Sequence, residues 1–447
     1  MTVTEYFTRL QGKRVLVLGL GVSNRPLVRL LLRFGIDVTG CDRTPREKLD
    51  PEVLELERLG AKLHLGDDYL TGISGDVAFR TPGLHPGKPE LQALRAAGTQ
   101  FTSEMEAFFE VCPCRIIGVT GSDGKTTTST LISEILKHAG YRVWTGGNIG
   151  TPLLDQAEHM TPDDLVVLEL SSFQLMDLRH SCHIAVVPNH LDVHRDMAEY
   201  IDAKKHIFTR QTAQDVLILN ADNTITAGFA PEAAGEVRMF SRQTVPAHGA
   251  SFRDGVIRRD GVPVVRQEEI KIPGLHNVEN YMAAILAVEG LASDEDIRYV
   301  ARNFGGVEHR IEFVREKDGV KFYNDSIASS PSRTIAGLRS FSEKVILIAG
   351  GYDKHIPYDV LGPEIAAHVK LLVCTGATGP KISAAARAVP DAPEILEIPD
   401  FYEAVHAAAQ QAKPGDIVLL SPASAAFDRF KNFMVRGAEF KKTVMAL

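Results

Sequence analysis

The stretch Gly118-Val-Thr-Gly-Ser-Asp-Gly-Lys-Thr-Thr-Thr128 lies between an apolar segment, Arg115-Ile-Ile, and an amphipathic segment that ends at Lys137. The order of buried strand, glycine-rich loop, Lys-Thr pair and helix is typical of a phosphate-binding loop. Glycines allow backbone N–H groups to turn towards an anion, and a helix N-terminus adds partial positive charge. The stretch therefore predicts a nucleotide-binding α/β domain.

Two side chains of this loop have the chemistry that nucleotide binding needs. Lys125 is expected to contact the β and γ phosphates, and the Thr126 hydroxyl is expected to ligate Mg²⁺. The spacing is unusual, because Val119 occupies the position of the expected first glycine and Gly118 lies one residue early. Since a strand and a helix flank the loop, phosphate binding is favoured over a glycine turn with a chance lysine.

The composition narrows the class of protein. The chain has 447 residues, which suggests about three domains. Its net charge of −8 does not indicate a basic surface, so we expect neither nucleic acid nor anionic membrane as a partner. We find no run of about 18 apolar residues and no secretion signal. The five scattered cysteines favour a reducing cytoplasm over a disulfide framework.

The N-terminal region has a nucleotide-binding pattern of its own. A strand enters the turn Gly19-x-Gly21, a helix follows, and the next strand ends at Asp42, 21 residues after Gly21. A dinucleotide fold places a ribose-binding carboxylate near that position. Asn24 replaces the third glycine, however, so the pattern fits another nucleotide-like ligand better than NAD.

Polar residues close the strands that are predicted after the phosphate loop. Glu169 and His190 end two of them and should share an edge with Lys125, because ligands collect at the carboxyl ends of parallel strands. Glu169 is the candidate Mg²⁺ ligand, with helix capping or a salt bridge as the alternative. His190 forms an i, i+4 pair with His194, which can bind metal or remain a solvent-exposed loop histidine. The pattern of its own helix predicts that Lys204 is an exposed surface lysine.

The remainder of the chain predicts a second open α/β sheet. Residues 236–272 alternate and contain Arg-Asp-Gly at 253–255 and 259–261, which indicates hairpins, and a helix is expected over 276–291. From about Gly306 onward, four apolar strands alternate with helices.

The ordered motifs of the chain resemble those of the Mur ligases, which build the peptide of bacterial peptidoglycan. The motifs that carry this resemblance are Gly118-Val-Thr-Gly-Ser-Asp-Gly-Lys-Thr126, Gly147-Asn-Ile-Gly150, Leu168-Glu-Leu-Ser-Ser-Phe-Gln-Leu175, Asn189-His-Leu-Asp192, Tyr200-x-x-Ala-Lys204, Gly274-Leu-His-Asn277, His309-Arg310, Tyr323-Asn-Asp-Ser326, Gly350-Gly-x-Asp-Lys354 and Lys431-Asn-Phe-x-x-Arg-Gly437. The resemblance implies an α/β fold of three domains. These are a Rossmann-like UDP-substrate domain (1–106), a central P-loop ATPase domain (107–306) and a Rossmann-like amino-acid-binding domain (307–447).

The resemblance also implies a role for individual residues. The implied ATP contacts are Gly121, Ser122, Asp123, Gly124, Lys125, Thr126, Thr127, Asn148, Asn277, Asn280, Arg310 and Asp325. The implied ligands of two Mg²⁺ ions are Thr126, Glu169, His190 and Lys204, the last as a carbamate formed with CO₂. The implied substrate contacts are Val22, Ser23, Asp42, Thr81, Asn148, Ser171, Lys354 and Phe433. Lys125, Glu169, His190, Lys204 and Arg310 are the implied catalytic set.

The implied reaction is ATP-dependent amide formation through an acyl phosphate. We expect the protein to be a monomer in the cytoplasm. The family pattern favours UDP-N-acetylmuramoyl-L-alanine and D-glutamate as substrates. Another amino acid or a folylpolyglutamate-type reaction, an NAD-dependent oxidoreductase and a non-catalytic nucleotide-binding module remain alternatives. Three positions depart from the family pattern: Asn189 stands for an aspartate, Ile327 for a lysine and Ala426 for a serine. We hypothesise that Ser329, Ser330 or Arg333 completes the amino-acid pocket.

Overall fold

Three β-sheets, each covered by helices, form the framework of the chain in a computed structural model. The structure describes residues 1–148, 150, 152–176, 178–189 and 197–447. The chain divides into two compact units, which contain residues 1–264 with 279–297, and residues 265–278 with 298–447. No helix in the described ranges combines the length and apolar character needed to cross a bilayer.

The N-terminal sheet has five parallel strands in the order β3-β2-β1-β4-β5. Its strands are β1 (Arg14–Leu18), β2 (Asp37–Asp42), β3 (Lys62–Leu65), β4 (Val77–Arg80) and β5 (Gln100–Thr102). Its helices are α1 (Val3–Thr8), α2 (Asn24–Arg33), α3 (Pro51–Arg58), α4 (Pro89–Ala96) and α5 (Glu104–Val111). The strand order reverses at β1, so the turn after β1 opens where ligands bind in such sheets.

The central sheet has nine strands in the order β14-β13-β12-β11-β10-β9-β6-β8-β7. Its strands are β6 (Arg115–Val119), β7 (Val143–Gly147), β8 (Leu165–Glu169), β9 (Ile184–Val187), β10 (Val216–Asn220), β11 (Glu236–Ser241), β12 (Gly249–Arg253), β13 (Val256–Arg259) and β14 (Val262–Arg266). The helices of this region are α6 (Lys125–His138), α7 (Ser172–Leu175), α8 (Met197–Lys205), α9 (Thr224–Ala227), α10 (Leu275–Ala287) and α11 (Asp294–Asn303).

The predicted hairpins are correct for part of residues 236–272. Strands β12 and β13 pair antiparallel across Asp254-Gly255, where both residues have positive φ, as a tight hairpin turn requires. Asp260-Gly261 makes a second such turn before β14. Strand β11, however, pairs in parallel with β10 and β12, so the prediction of a hairpin there is wrong. Alternating polarity indicates a half-exposed strand but does not fix its direction.

The C-terminal sheet has six strands in the order β15-β16-β20-β17-β18-β19, with only β15 antiparallel to its neighbour. Its strands are β15 (Glu312–Lys317), β16 (Val320–Asn324), β17 (Val345–Gly350), β18 (Val369–Thr375), β19 (Glu394–Glu397) and β20 (Ile417–Leu420). Its helices are α12 (Pro331–Leu338), α13 (Leu361–His368), α14 (Gly379–Arg387), α15 (Phe401–Gln411) and α16 (Phe433–Ala446). The α/β fold class is confirmed, while the exact domain boundaries stay a prediction.

Candidate active site

The phosphate loop lies where the sequence places it, between β6 and α6. Gly124 is the N-cap of α6 and has a φ of +76°, a conformation that favours glycine. A Cβ atom at Gly124 would lie 2.5 Å from Oδ1 of Asn280, so that close approach also requires glycine. Asn280 Oδ1 accepts a hydrogen bond from the Thr128 hydroxyl at 3.2 Å. The structure therefore brings Asn280, a predicted nucleotide contact, against the loop.

The Lys125 side chain folds back over its own loop. Its Nζ donates to the carbonyl oxygens of Gly121 at 2.8 Å and Ser122 at 2.9 Å. A lysine in this position presents its charge at the mouth of the loop, where the phosphates of a nucleotide would lie.

Glu169 ends the strand beside the loop and is almost completely buried. It lies level with Val119 in the β6–β8 pair, and its side chain is 1% exposed. Its Oε1 accepts a hydrogen bond from Asn148 Nδ2 at 2.8 Å, whereas its Oε2 is buried with no hydrogen-bond partner in the described part of the chain. A buried carboxylate oxygen without a donor costs free energy unless a ligand satisfies it, and divalent cations prefer such oxygens.

Lys204 is not a surface residue, so the interpretation from its helix alone is wrong. Its side chain is 1% exposed, and its Nζ donates to the Ser122 hydroxyl at 3.2 Å. Burial and the nearby charge of Lys125 lower the pKa of the Lys204 ammonium to about 8, although Asp123 opposes the shift. A buried lysine whose pKa is lowered is in the neutral, nucleophilic amine form for a larger fraction of the time than an exposed lysine is.

The predicted metal site is described only in part. Thr126 is half-buried in the first turn of α6, and Glu169 and Lys204 flank the same loop. His190 and its partner His194 lie outside the described residues. Among the residues that are described, no group of three or more His, Cys, Asp and Glu side chains could hold a metal ion. The Glu169 oxygen that has no hydrogen-bond partner among the described residues is thus the observation that fits a cation here.

A cleft of about 340 Å³ opens between the turn after β1, the end of β4 and the end of β7. Five of the predicted substrate contacts line it, namely Val22, Ser23, Thr81, Asn148 and Ser171. Asp42 is not among the lining residues. Its carboxylate instead accepts hydrogen bonds from the backbone N–H groups of Leu20 at 2.7 Å and Thr44 at 2.8 Å. Asp42 therefore shapes the turn that carries the first two contacts.

Arg80, which the sequence analysis missed, is a buried arginine in the wall of this cleft. It is 2% exposed, and its guanidinium donates to the backbone carbonyls of Thr81, Pro82, Leu84 and Phe173. It thereby ties the turn after β4 to α7. Nothing in the local sequence distinguishes it from the many exposed arginines, because its partners are backbone atoms.

In the second unit, Asp325 is buried beneath the turn that carries Arg310. Its Oδ2 accepts a hydrogen bond from the Ser421 hydroxyl at 2.7 Å, and its Oδ1 accepts one from the Ile311 N–H at 3.3 Å. Burial raises the pKa of the Asp325 carboxyl to about 7, although these hydrogen bonds and the charge of Arg310 oppose the shift. The structure thus brings Arg310 and Asp325, two predicted ATP contacts, together.

The turn around Arg310 has a strained backbone. His309 and Ile311 have φ values of 64° and 44°, and a β-branched residue such as isoleucine seldom adopts positive φ. The ring of Phe433 packs edge-on against His309, with centroids 6.0 Å apart. Strain of this kind persists where the surrounding contacts impose it, and it often accompanies function.

The contacts of Arg436 give a structural role to the last sequence motif, Lys431 to Gly437. It is 2% exposed and donates to Ser326 Oγ and O and to the carbonyls of Ser424 and Ala425, at 2.9–3.0 Å. It therefore joins the segments that follow β16 and β20. At residue 437, a Cβ atom would lie 2.2 Å from His309 Nδ1, so only glycine fits there. The motif was found from sequence, but its clamping role was not.

The other predicted residues of the second unit differ in exposure. Lys354 is exposed after β17, and Arg333 is exposed on α12, with its Nη1 donating to the Ile327 carbonyl at 3.2 Å. Ala426, at the position of the family serine, is 2% exposed. Asn277 is buried and donates to the Pro273 carbonyl. The amino-acid pocket stays a prediction.

Two family models match the chain. The Mur ligase middle domain matches residues 119–288, and the model described as "Mur ligase, glutamate ligase domain" matches residues 309–424.

Full-length relatives carry a consistent name. A protein of Acetivibrio thermocellus named UDP-N-acetylmuramoylalanine–D-glutamate ligase is 51% identical, over 100% of this chain and 99% of the relative. A protein of Ruminiclostridium cellulolyticum with the same name is 49% identical over 97% of both chains. The crystal structure of UDP-N-acetylmuramate-alanine ligase MurC from Thermotoga maritima superimposes with a TM-score of 0.60, covering 97% of this chain and 99% of that one. At 16% identity, the last similarity describes the fold alone.

Proposed function

This chain belongs to the Mur ligase family, and we propose that it uses ATP to join D-glutamate to UDP-N-acetylmuramoyl-L-alanine in peptidoglycan synthesis. The observation that carries the substrate assignment is the 51% identity, over the whole chain, to a relative named for that reaction. The phosphate loop, with Lys125, Glu169 and Lys204 around it, supports the chemistry.

The charges of the site suit the first step of this reaction. The carboxylate of the L-alanine attacks the γ-phosphorus of ATP, which forms an acyl phosphate and releases ADP. Both reactants are anions, so cations must lie near the transferred phosphoryl group. We assign this role to Lys125 and Arg310. Asn148 and Asn280 are proposed nucleotide contacts, and Asp325 is proposed to bind the ribose.

In the second step, the amine of D-glutamate attacks the acyl carbon, a tetrahedral intermediate forms, and phosphate leaves. Lys354 and Phe433 are the proposed contacts of the amino acid, with Arg333 as a further candidate. The cleft that Val22, Ser23 and Thr81 line is the proposed site of the UDP half of the acceptor.

The residues present fit a divalent cation. We propose that Thr126 and Glu169, with His190 and a carbamylated Lys204, hold two Mg²⁺ ions, which neutralise phosphate charge when bound. Lys204 suits carbamylation, because burial lowers the pKa of its amine to about 8 and the neutral amine is the form that reacts with CO₂. We also propose a cytoplasmic location, since ATP and nucleotide sugars are cytoplasmic metabolites. For the oligomeric state, we propose a monomer.

One assay tests the assignment. ADP release is measured with UDP-N-acetylmuramoyl-L-alanine while D-glutamate, L-glutamate, L-alanine and a diamino acid are supplied in turn. We expect turnover only with D-glutamate. Lys125→Ala should abolish it, whereas Lys137→Ala, at the exposed end of the same helix, should not. Turnover with another amino acid would overturn the substrate assignment, and no turnover with any would overturn the ligase itself.

Family membership favours this proposal over the alternatives from the sequence. An NAD-dependent oxidoreductase would use Asp42 on a ribose, but the Asp42 carboxylate is engaged by backbone N–H groups. A non-catalytic nucleotide-binding module would not need a buried Lys204 beside the phosphate loop.

A further inference from the structure

Asn189 ties the phosphate loop to the end of β9 through both halves of its side-chain amide. Its Oδ1 accepts hydrogen bonds from the backbone N–H groups of Ser122 at 3.0 Å and Asp123 at 2.9 Å. Its Nδ2 donates to the Asp123 carbonyl oxygen at 3.0 Å. The Asn189 carbonyl oxygen also accepts from Ser122 N–H at 3.3 Å. One residue thus satisfies two donors and one acceptor of the loop.

Within the described ranges, these contacts do not use the N–H groups of the first turn of α6. The N-cap Gly124 has no side chain, and no side-chain cap hydrogen bond occurs at this end of α6 in the described part of the chain. The N–H groups of a first helical turn are the donors that a phosphate binds. Asn189 therefore holds the loop N-terminal to the helix without competing for those donors. The close approach of its backbone also explains Gly121, where a Cβ atom would lie 3.2 Å from the Asn189 carbonyl oxygen.

We propose that Asn189 is a positioning residue for nucleotide binding, which fixes the phosphate loop through residues 122 and 123 in the shape that receives the phosphates. The proposal rests on the ATP-dependent function proposed above, since it assigns a role in that same site. It concerns Asn189 alone among the three departures from the family pattern.

The geometry explains why an amide suits this position in this chain. An aspartate could accept the two N–H bonds, but it could not donate to the Asp123 carbonyl, so two oxygens would face each other at 3.0 Å. It would also add a negative charge beside the bound phosphates, which repel it. Asparagine supplies the acceptor and the donor and carries no charge.

The test compares ADP binding by Asn189→Asp, Asn189→Ala and the wild-type protein, measured by isothermal titration calorimetry at low and high ionic strength. We expect Asn189→Ala to weaken ADP binding about tenfold at both, because loop hydrogen bonds are lost. Asn189→Asp should weaken it at least as much at low ionic strength and recover partly at high, because salt screens the added charge. Asn223→Asp is the matched control: Asn223 caps α9 through Thr226 N–H, and aspartate caps equally well.

Steady-state kinetics complete the test. The variants should raise the KM for ATP while the KM values for the nucleotide sugar and the amino acid stay at the wild-type level. Wild-type affinity for ADP in both Asn189 variants would overturn the proposal, and so would an equal rise of all three KM values, which indicates a general loss of structure. ADP binding requires no turnover, so a failure of the proposed ligase reaction would leave this result readable.

Discussion

Replacing Asp325 with asparagine should stabilise the second unit at alkaline pH while it weakens ATP binding. The folded protein raises the pKa of this carboxyl from its ordinary value of 3.8 to about 7, chiefly through burial. Between these two values the folded state holds a proton that the unfolded state has lost. The free energy of unfolding therefore falls as the pH rises from about 4 to 7, and the full cost of the buried charge is present above pH 7.

The structure sets the size of this effect. A difference of about three pH units between the two pKa values corresponds to about 4 kcal/mol. Asparagine can still accept the Ile311 N–H bond and can donate to the Ser421 hydroxyl, so the packing should survive. The hydrogen bonds of the carboxylate are already included in this net shift of the pKa. We therefore expect Asp325→Asn to gain about 4 kcal/mol at pH 8 and about 2 kcal/mol at pH 5, where only the interval from pH 3.8 to pH 5 contributes.

The assay is urea unfolding at pH 5 and pH 8, followed by circular dichroism and by tryptophan fluorescence. Trp144 is the single tryptophan of the chain and lies on β7 in the first unit, so its transition should stay in place. Hydrogen exchange of peptides from β16 and β20 should be slower in the variant, and the difference should be larger at pH 8 than at pH 5. The KM for ATP should rise, because a neutral amide binds the proposed ribose hydroxyls less strongly than a carboxylate.

Asp400→Asn provides a control of opposite sign. The N–H of Glu403 and the guanidinium of Arg429 lower the pKa of the Asp400 carboxyl. This carboxylate therefore stabilises the folded state above the unfolded pKa, and that stability is lost as the pH falls. The Asp400→Asn variant should be less stable than wild type at pH 8. The reasoning about Asp325 is refuted if its variant is less stable than wild type at pH 8, or if the difference does not change between pH 5 and pH 8.

Three further predictions concern the proposed chemistry. Glu169→Gln should lower kcat by about 100-fold or more, with little change in melting temperature, because glutamine keeps the hydrogen bond from Asn148 and loses the cation ligand. The measurement is kcat over a Mg²⁺ titration, and a wild-type dependence of kcat on Mg²⁺ would contradict the prediction. Lys204→Ala should lose activity that acetate partly restores, as measured by ADP release; full activity without acetate would remove the carbamate from the proposal. Arg333→Ala should raise the KM for D-glutamate about tenfold with no change for ATP, and an unchanged KM for D-glutamate would remove this arginine from the pocket.

The features that the sequence predicted well are those encoded by contiguous residues. The phosphate loop, its strand and its helix lie within residues 115–138, and their order alone specified the local fold. Glu169 followed from a general rule of parallel sheets, since the residue that ends β8 must reach the same edge as the loop after β6. The two Asp-Gly turns likewise carry their conformation in their own residues.

The features that were missed depend on contacts between distant parts of the chain. Lys204 has polar neighbours on its helix, but it is buried, and its ammonium contacts Ser122, which lies 82 residues earlier. Two buried arginines, Arg80 and Arg436, bind mainly backbone carbonyls, which are present in every sequence and give no local signal. Arginine is mostly exposed in proteins, so composition and periodicity favour the wrong assignment at such positions. The resemblance to a family corrected this for Lys204, because it carries three-dimensional information.

The turn from His309 to Ile311 shows why the strained part of the site cannot be predicted from local sequence at all. Isoleucine disfavours positive φ, so the sequence argues against the conformation that Ile311 adopts. That conformation is held by Asp325, whose carboxylate accepts the Ile311 N–H and whose own burial is unfavourable when charged. Two destabilising features, a left-handed isoleucine and a buried acid, thus support each other beside Arg310. A fold selected for stability alone would have removed both, and their presence supports the role proposed for Arg310 at this turn.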